Sequence, residues 1–380
     1  MKIAMLHTRP MLHWVCQSPS PYNDVLFKAL ATECAADLRV HYLQAHSEEY
    51  SWTIGAEKAY RARAYRRRFF DWTLLVSVLG DRTSIFLTGC WQDPTCQVAL
   101  LGRMLLRMPY VVWNDTPPPR LKRGLRERLR SSFLRVVFRN ALAVLGTGIS
   151  AIDIFYRMGA PSGKLVNFPY CVDVEKFYPE AKKANRPTLV LGSCCRLHES
   201  KGIDVVLRAL KRFARSGRTP FLYRIAGDGP ERQRLTRLVE DLELSQCVEF
   251  CGWVGAAELP AYYRSLDVFV HAARFEPYGV TVIEALSSGL PVLASLKTMA
   301  AIDRVVEGKN GFLHREGDEL DLYRSLVLFA DLPVSDRQQM AGESRKAALQ
   351  WTVAQAKETV DGLVARVARR QQLPRETAPC

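Results

Sequence analysis

Two glutamates within one strand–loop–helix segment are the first residues in the sequence that could do chemistry. The segment HAARFEPYGVTVIEALSSGLPVLAS covers residues 271–295 and carries Glu276 in its loop and Glu284 in the helix that follows. An ionised carboxylate only accepts hydrogen bonds, so it suits the paired hydroxyls of a sugar. A helix start with unpaired amides at 279–281 would attract a diphosphate. The segment therefore predicts a site for a ligand that carries both hydroxyls and phosphates.

Two cations in an earlier segment could neutralise such phosphates. The stretch LVLGSCCRLHESKGIDVVL, residues 189–207, carries Arg196 and Lys201 between a strand and a helix. Guanidinium and ammonium groups make strong charge-assisted hydrogen bonds to phosphate oxygens. Between the two segments, the glycines of AGDGPER at 226–232 permit a tight turn and a close backbone approach. Each feature alone is common in unrelated proteins, and it is their order and spacing together that indicate a binding site.

Strand and helix patterns alternate along the chain, which predicts parallel sheets covered by helices. The pattern restarts near residue 187, so we expect two doubly wound α/β halves joined by a polar linker at 173–187. In such sheets ligands bind beyond the carboxyl ends of the strands, and two such domains form a natural site in the cleft between them. The predicted strands are KIAMLH, LRVHYL, SIFLTG, YVVWND, ALAVLG, PTLVLGSC, FLYRIAGDG, VEFCGW, DVFVHA, LPVLAS and GFLH.

The length of 380 residues is too great for one compact core and suits two domains. We expect one domain at 1–173, a second at 174–350, and at 351–380 a helix packing back toward the first domain, with a loose tail. The longest apolar runs fall short of the roughly 18 to 20 residues that a membrane-spanning helix needs. The N-terminus also lacks the apolar stretch of a signal peptide. The sequence therefore predicts a cytoplasmic protein.

The ten cysteines fit a reducing compartment. Cys247 and Cys251 come nearest to a metal-binding spacing, but no second pair of cysteines or histidines follows them. We interpret both as small core residues and expect no metal site.

The net charge of +14 is concentrated in the N-terminal half. RARAYRRRFF at 61–70 has five arginines among aromatics, and the run at 120–139 has seven arginines and one lysine against the single acid Glu127. A solvated helix face would account for both runs. Attraction to anionic lipid, to an acidic acceptor or to nucleic acid would account for them as well. Anionic lipid would give a peripheral position on the cytoplasmic membrane face.

The three segments together resemble glycosyltransferase family 4, the retaining GT-B enzymes. Members of that family carry a basic G-R-L-x-x-x-K-G loop, then G-x-G-P, then E-P-[FY]-G-x-x-x-x-E-A-x-x-x-G-x-P-V. The corresponding stretches here are CRLHESKG at 195–202, GDGPER at 227–232 and EPYGVTVIEALSSGLPV at 276–292. NFPYCVDVEKFYP at 167–179 is similar to the segment that joins the two domains of these enzymes. The resemblance implies a GT-B fold of two Rossmann-like domains.

The same resemblance implies a metal-independent hexosyltransferase that uses a nucleotide-diphosphate sugar, with the acceptor bound by the N-terminal domain and the donor by the C-terminal domain. Arg196 and Lys201 would bind the diphosphate, Glu284 the ribose hydroxyls and Glu276 the transferred sugar. A donor phosphate oxygen would accept the acceptor proton, so no protein nucleophile is assigned. The other implied donor-binding residues are Gly252, Trp253, Pro277, Tyr278, Gly279 and Val280.

Several positions depart from the family pattern. Cys195 stands where the basic motif has its first glycine, and Ala273 and Arg274 stand where the family has Pro-Ser. Many relatives have a histidine after an N-domain strand, where this sequence has WNDTPPPR. Asn114 or Asp115 would take its place, and we assign Asp115 as the candidate N-domain catalytic residue.

Other functions fit parts of the sequence. A GT-B nucleotide-sugar epimerase or hydrolase would use the same donor site. A basic nucleic-acid-binding protein would use the arginines, but no helix-turn-helix, zinc finger or RNP-like motif accompanies them, so we expect no nucleic-acid partner. The nucleotide (UDP, GDP or ADP) and the sugar stay open. Polysaccharide, lipid-linked glycan and small natural products stay open as acceptors.

Overall fold

The structure is a computed structural model that describes residues 9–46, 59–65, 69–117, 124–178 and 187–372. It divides into two compact units. The first comprises the chain up to Cys171 together with the stretch from Val353 onward, and the second comprises Val172–Thr352.

The first unit is built around a parallel sheet whose described strands run in the order β3-β2-β1-β4-β5-β6-β7. Helices α2 to α5 pack over one core on this sheet, and α14 packs with α1. The backbone N–H of Ala35 donates to the Asp361 carboxylate of α14 (2.9 Å), which fixes that helix within this unit. The elements are β1 (Met11–Cys16), α1 (Pro21–Glu33), β2 (Asp37–Tyr42), β3 (Arg61–Ala64), α2 (Trp72–Gly80), β4 (Ile85–Thr88), α3 (Pro94–Leu105), β5 (Tyr110–Asn114), α4 (Leu125–Asn140), β6 (Ala143–Gly146), α5 (Ile149–Arg157), β7 (Leu165–Asn167) and α14 (Val353–Gln372).

Three strands of this sheet, β1, β3 and the three-residue β7, are not among the strands predicted from the sequence. The predicted first strand at 2–7 lies outside the described residues, and the described chain begins its sheet with β1. That strand buries His13, whose Nδ1 lies 2.9 Å from the Nε2 of His41, so a polar residue fits inside the sheet. The strand β3 has exposed arginines, but its register with β2 is a regular parallel ladder. Backbone pairing at a sheet edge therefore overrides its polar side chains.

The second unit has a parallel sheet with the strand order β10-β9-β8-β11-β12-β13. The order reverses direction between β8 and β11, as it does between β1 and β4 in the first unit, so the prediction of two doubly wound α/β domains is confirmed. The elements are α6 (Val174–Phe177), β8 (Leu189–Cys194), α7 (Ile203–Arg215), β9 (Phe221–Ala226), α8 (Arg232–Asp241), β10 (Val248–Gly252), α9 (Leu259–Arg264), β11 (Val268–His271), α10 (Val280–Ser287), β12 (Val292–Ser295), α11 (Met299–Arg304), β13 (Gly311–His314), α12 (Glu319–Ala330) and α13 (Val334–Ala348).

The predicted linker at 173–187 is only partly described. Its first residues form α6, which packs against α9 and α10 and so belongs to the second unit. Phe177 of α6 makes an edge contact with Tyr263 of α9, with ring centroids 5.7 Å apart. The apolar side chains of this short helix are therefore part of the second unit's packing and not of a polar linker.

Candidate functional site

The loops that follow β8 and β11 meet at the switch point of the second sheet. Gly202 ends the 3-10 turn Glu199–Lys201 in a left-handed conformation, with a φ of 65°. A Cβ atom at this position would lie 2.0 Å from the carbonyl oxygen of Ala272, which follows β11. Only glycine lets the two loops approach so closely, and this approach sets Lys201 beside the loop that carries Glu276.

Lys201 and Glu276 form an ion pair at this junction. The Lys201 Nζ lies 2.5 Å from the Glu276 Oε2, and both side chains are about five-sixths buried, with 16% and 15% of their surface exposed. The His271 Nε2 lies 3.5 Å from the same carboxylate oxygen. Burial raises the pKa of Glu276, but the His271 ring and the Lys201 ammonium outweigh it and lower the pKa to about 2. Glu276 is therefore ionised across the physiological range.

The Glu276 loop is held by the segment that follows β12. The Glu276 N–H donates to the carbonyl of Lys297 (2.8 Å), and the Ala300 N–H donates to the carbonyl of Tyr278 (2.7 Å). The Tyr278 side chain is buried, and Pro277 lies between these two anchored residues. Two backbone anchors fix the position of the carboxylate independently of its ion pair.

Helix α10 starts at the end of this loop. Gly279 occupies the N-cap with a φ of 101°, Val280 is the first helical residue, and no side chain of the described residues caps the helix. The first backbone N–H groups of α10 therefore lack, within the described part of the chain, the side-chain oxygen acceptor that usually caps a helix.

Glu284 lies on α10 and has a different partner. The Tyr263 hydroxyl donates to the Glu284 Oε2 (2.7 Å). Burial raises the pKa of Glu284 to about 7, against the lowering effects of the Tyr263 hydrogen bond and the Lys176 charge. This carboxyl therefore titrates near neutral pH, unlike Glu276.

The glycine turn after β9 packs against the basic loop. Cβ atoms at Gly227 and Gly229 would lie 1.9 Å from the Cys195 oxygen and 2.5 Å from the Leu197 oxygen, respectively. The Gly227 N–H donates to the carbonyl of Gly252 at the end of β10. Trp253 follows and is half exposed. The glycines of the predicted motif thus allow the loops at the ends of β8, β9 and β10 to pack closely together.

Arg196 lies on the loop after β8, between the two residues against which those glycines pack. Arg274, on the loop after β11, donates from both of its terminal nitrogens to the carboxylate of Asp204 on α7, at 2.9 and 2.8 Å. Its backbone N–H donates to the Ser200 carbonyl (2.7 Å). The residue that departs from the family's Pro-Ser thus ties the β11 loop to the turn that carries Lys201.

Asp115 lies in the first unit, whereas the other predicted site residues lie in the second. It follows β5, and the Tyr170 hydroxyl donates to its Oδ2 (3.0 Å). The neighbouring Asn114 uses its side-chain amide to donate to the Gly89 carbonyl (2.7 Å). Of the two candidates for the N-domain catalytic residue, only Asp115 has a carboxylate. The Asn114 side chain is engaged with the backbone carbonyl of Gly89.

Three residues of this region were not predicted from the sequence as part of the site. His271 is the last residue of its strand, Tyr263 belongs to the pair Tyr-Tyr of α9, and Arg274 was noted only as a departure from a pattern. A histidine at the carboxyl end of a predicted strand was a usable signal for the first. The sequence held no signal for the other two, because their partners are 21 and 70 residues away.

The described residues contain no group of three or more histidine, cysteine, aspartate or glutamate side chains arranged to hold a metal ion. Of the two cysteines considered above, Cys247 packs against the second core, whereas Cys251 has its sulfur 3.6 Å from Glu249 and is not among the residues packed on that core. No helix within the described ranges is long and apolar enough to span a bilayer.

The family model described as glycosyl transferases group 1 matches residues 174–347. The chain is 32% identical over 187 residues to a putative colanic acid biosynthesis glycosyltransferase, WcaL of Escherichia coli, covering 47% of this chain and 45% of that protein. It is also 32% identical over 223 residues to a GDP-mannose-dependent mannosyltransferase of Mycolicibacterium smegmatis that acts on phosphatidylinositol monomannoside, covering 51% of this chain and 57% of that protein. The chain thus spans about half the length of the curated relatives it matches.

A solved structure covers the fold more fully. Anabaena HepE, crystallised with UDP, superimposes with a TM-score of 0.72 over 94% of this chain and 100% of its own, at 16% identity. This likeness extends over both units and confirms the GT-B fold. The stretch that matches the glycosyl transferases group 1 model, residues 174–347, holds the Lys201–Glu276 pair and Glu284.

Proposed function

We propose that this chain is a retaining glycosyltransferase that moves a hexose from a nucleotide-diphosphate sugar to an acceptor hydroxyl. The observation that carries the proposal is the Lys201–Glu276 ion pair at the switch point of the second sheet, beside the uncapped start of α10. A cation and a carboxylate held 2.5 Å apart offer a phosphate and a sugar hydroxyl adjacent binding partners.

In the proposed complex, Lys201 and Arg196 bind the donor diphosphate together with the first amides of α10 at Gly279 and Val280. A helix start attracts such a group through its dipole and its unpaired N–H donors. Negative charge on the leaving diphosphate grows in the transition state, so these donors act most strongly there. The cations take the place of a metal ion, and the enzyme needs no cofactor.

The carboxylates bind the hydroxyls of the donor. Glu276 is ionised and is held by its backbone anchors, so it accepts from the transferred sugar beside Pro277 and Tyr278. Glu284 accepts from the ribose, and the half-exposed Trp253, next to Gly252, flanks the base. A donor phosphate oxygen accepts the acceptor proton, and no residue acts as a covalent nucleophile.

The first unit binds the acceptor, and Asp115 is its candidate polar contact. The names of the two relatives above refer to colanic acid synthesis and to a phosphatidylinositol monomannoside, which supports a glycan or lipid-linked acceptor here. We place the reaction in the cytoplasm, where nucleotide sugars would serve as donors.

The donor is tested first by thermal shift with UDP-, GDP- and ADP-sugars, since a bound ligand raises stability by mass action. Arg196→Ala should then slow transfer more than it weakens binding of the stabilising donor, and activity should survive EDTA. The anomeric configuration of the product, read by NMR, tests retention. If free sugar or an epimer forms equally fast with and without an acceptor, the protein is a hydrolase or an epimerase instead.

A further inference from the structure

Three neighbouring helices form the outer layer on one face of the first unit. Side chains from α2, α3 and α4 lie in the same core over strands β1, β4, β5 and β6. Helix α2 packs on α3, and α3 packs on α4. At the first junction Gly102 faces Leu79, where an added Cβ would come within 3.2 Å of two leucine methyl carbons. The outward surfaces of these helices therefore form one continuous layer.

The outward faces of α2 and α3 carry no charged side chain. Trp72 and Leu105 are 71% and 78% exposed, and Val76 is 68% exposed. The single charged residue of the two helices, Arg103, points inward, where its guanidinium donates to the carbonyls of Val78 and Ser84. The exposed residues of the two helices are Trp72, Thr73, Val76, Gly80, Val98, Leu101 and Leu105.

This composition is unusual for a solvated helical surface. A surface helix ordinarily directs charged and polar residues outward. Scattered exposed apolar residues are common, but a contiguous apolar patch marks an interaction site. The apolar positions here follow helical spacing on both helices, and Phe69, just before α2, is 85% exposed. We refer to Phe69 and the exposed residues of α2 and α3 as the apolar face.

Helix α4 packs beside α3 and carries exposed arginines, of which Arg135 lies on its α5 side, with its stem against Gly159. Arg128, Arg135 and Arg139 are exposed at intervals of seven and four residues, with exposed Leu129 and Val136 beside them. Among the α4 side chains that the structure describes, none is acidic. The layer thus joins an uncharged surface to a basic one.

We propose that the apolar face inserts into the interfacial region of an anionic lipid bilayer while the α4 arginines contact its headgroups. Tryptophan is favoured at the headgroup level, and phenylalanine and leucine are typical of the apolar face of a helix that lies in the interface. Arginines near anionic lipid add attraction. A second copy of this chain fits less well, because two such faces in contact would bring their arginine rows together in a protein of net charge +14. This proposal does not depend on the glycosyltransferase assignment.

The apolar face is a different surface from the arginine runs at which the sequence analysis placed a membrane contact. Of the arginine run at 61–70, residues 66–68 lie outside the described chain, as do residues 118–123, which include the start of the run at 120–139. Arg61 and Arg63 lie on the edge strand β3 and not on the apolar face. The apolar residues of α2 and α3, which charge patterning does not detect, supply the surface that meets the acyl chains.

The test is co-sedimentation of the full chain with vesicles of phosphatidylcholine alone or mixed with phosphatidylglycerol, at low and high salt. Wild type should bind the phosphatidylglycerol vesicles. The double variant Val76→Ser, Leu105→Ser should bind at least about tenfold more weakly at both salt concentrations, because it removes two inserted apolar side chains. Arg139→Glu should weaken binding mainly at low salt.

The matched control is Leu328→Ser, since this leucine is also exposed (55%) on a helix, α12, but lies in the second unit. It should bind vesicles within about twofold of wild type. Circular dichroism should show all variants folded, because every substituted side chain is exposed. The proposal is overturned if wild type stays in the supernatant with phosphatidylglycerol vesicles or if the double variant binds as well as wild type. It is equally overturned if the apolar face proves to be a dimer contact, so that the double variant converts a dimer to a monomer.

Discussion

Replacing Glu284 by glutamine should change folding stability and donor binding in opposite directions. Glu284 has an ordinary carboxyl pKa of 4.5 in the unfolded chain and a pKa of about 7 in the folded one, because burial disfavours its charge. A carboxyl with a raised folded pKa destabilises the fold once the pH exceeds its unfolded pKa. The full cost is reached above its folded pKa.

The size of the effect follows from proton linkage. The shift of the Glu284 pKa from 4.5 to about 7 lowers the free energy of unfolding by about 3 kcal/mol at pH 8 and by under about 1 kcal/mol at pH 5. Glutamine keeps an oxygen that can accept from the Tyr263 hydroxyl and carries no charge to bury. Glu284→Gln should therefore raise the free energy of unfolding by up to about 3 kcal/mol at pH 8 and by little at pH 5.

Donor binding should change the other way. Hydrogen bonds from the ribose to an ionised carboxylate are worth about 1.5–3 kcal/mol, so losing the charge should weaken binding by roughly tenfold or more. Wild type should bind the donor more tightly as the pH rises from 6 to 8, whereas Glu284→Gln should bind with a nearly constant Kd. Glu284→Ala, which loses the acceptor altogether, should weaken binding by up to about 150-fold.

The assays are urea denaturation at pH 5 and pH 8 and calorimetric titration with the donor identified by thermal shift. Glu240→Gln, an exposed carboxyl on α8, is the control for a general change in net charge. Equal stability gains at both pH values would refute the buried-charge argument. An unchanged Kd in folded Glu284→Gln at pH 8 would refute the ribose assignment.

Three further changes test the switch-point geometry. Lys201→Met should abolish transfer and destabilise the fold by about 3 kcal/mol in urea at pH 7, since it leaves the buried Glu276 charge without its ammonium partner; full activity would exclude the proposed role. Gly202→Ala should cost more than about 2 kcal/mol and lower donor affinity, because its Cβ meets the Ala272 oxygen. Gly217→Ala, also left-handed but with open space, should cost only about 1 kcal/mol, and equal losses for the two would contradict the clash argument. Arg274→Lys should raise KM for the donor several-fold through a displaced loop, and unchanged kinetics would show that its two-pronged contact positions nothing.

Much of the fold follows from local patterns in the sequence. The strand runs of the second unit, such as DVFVHA and LPVLAS, coincide with β11 and β12, because a fully buried parallel strand has to be apolar along its whole length. The close backbone approach at the motif glycines was also predicted from the sequence, since a backbone that lies against another backbone tolerates no side chain. The strands β1 and β3 were not predicted, because a buried histidine pair and edge pairing permit polar residues in them. The strand β7 was not predicted either, and it is only three residues long.

The candidate site also has features that local sequence determines and features that only tertiary packing determines. The sequence alone determined that Arg196, Lys201 and Glu276 lie on loops and Glu284 on the following helix, because the spacing from strand ends is a local property. Only the tertiary structure decided that Lys201 pairs with Glu276, since that contact joins loops 75 residues apart through the reversal of strand order. It also decided that one glutamate is held ionised while the other titrates near neutrality. A pKa depends on burial and on neighbouring charges, and these are fixed only when distant segments pack together.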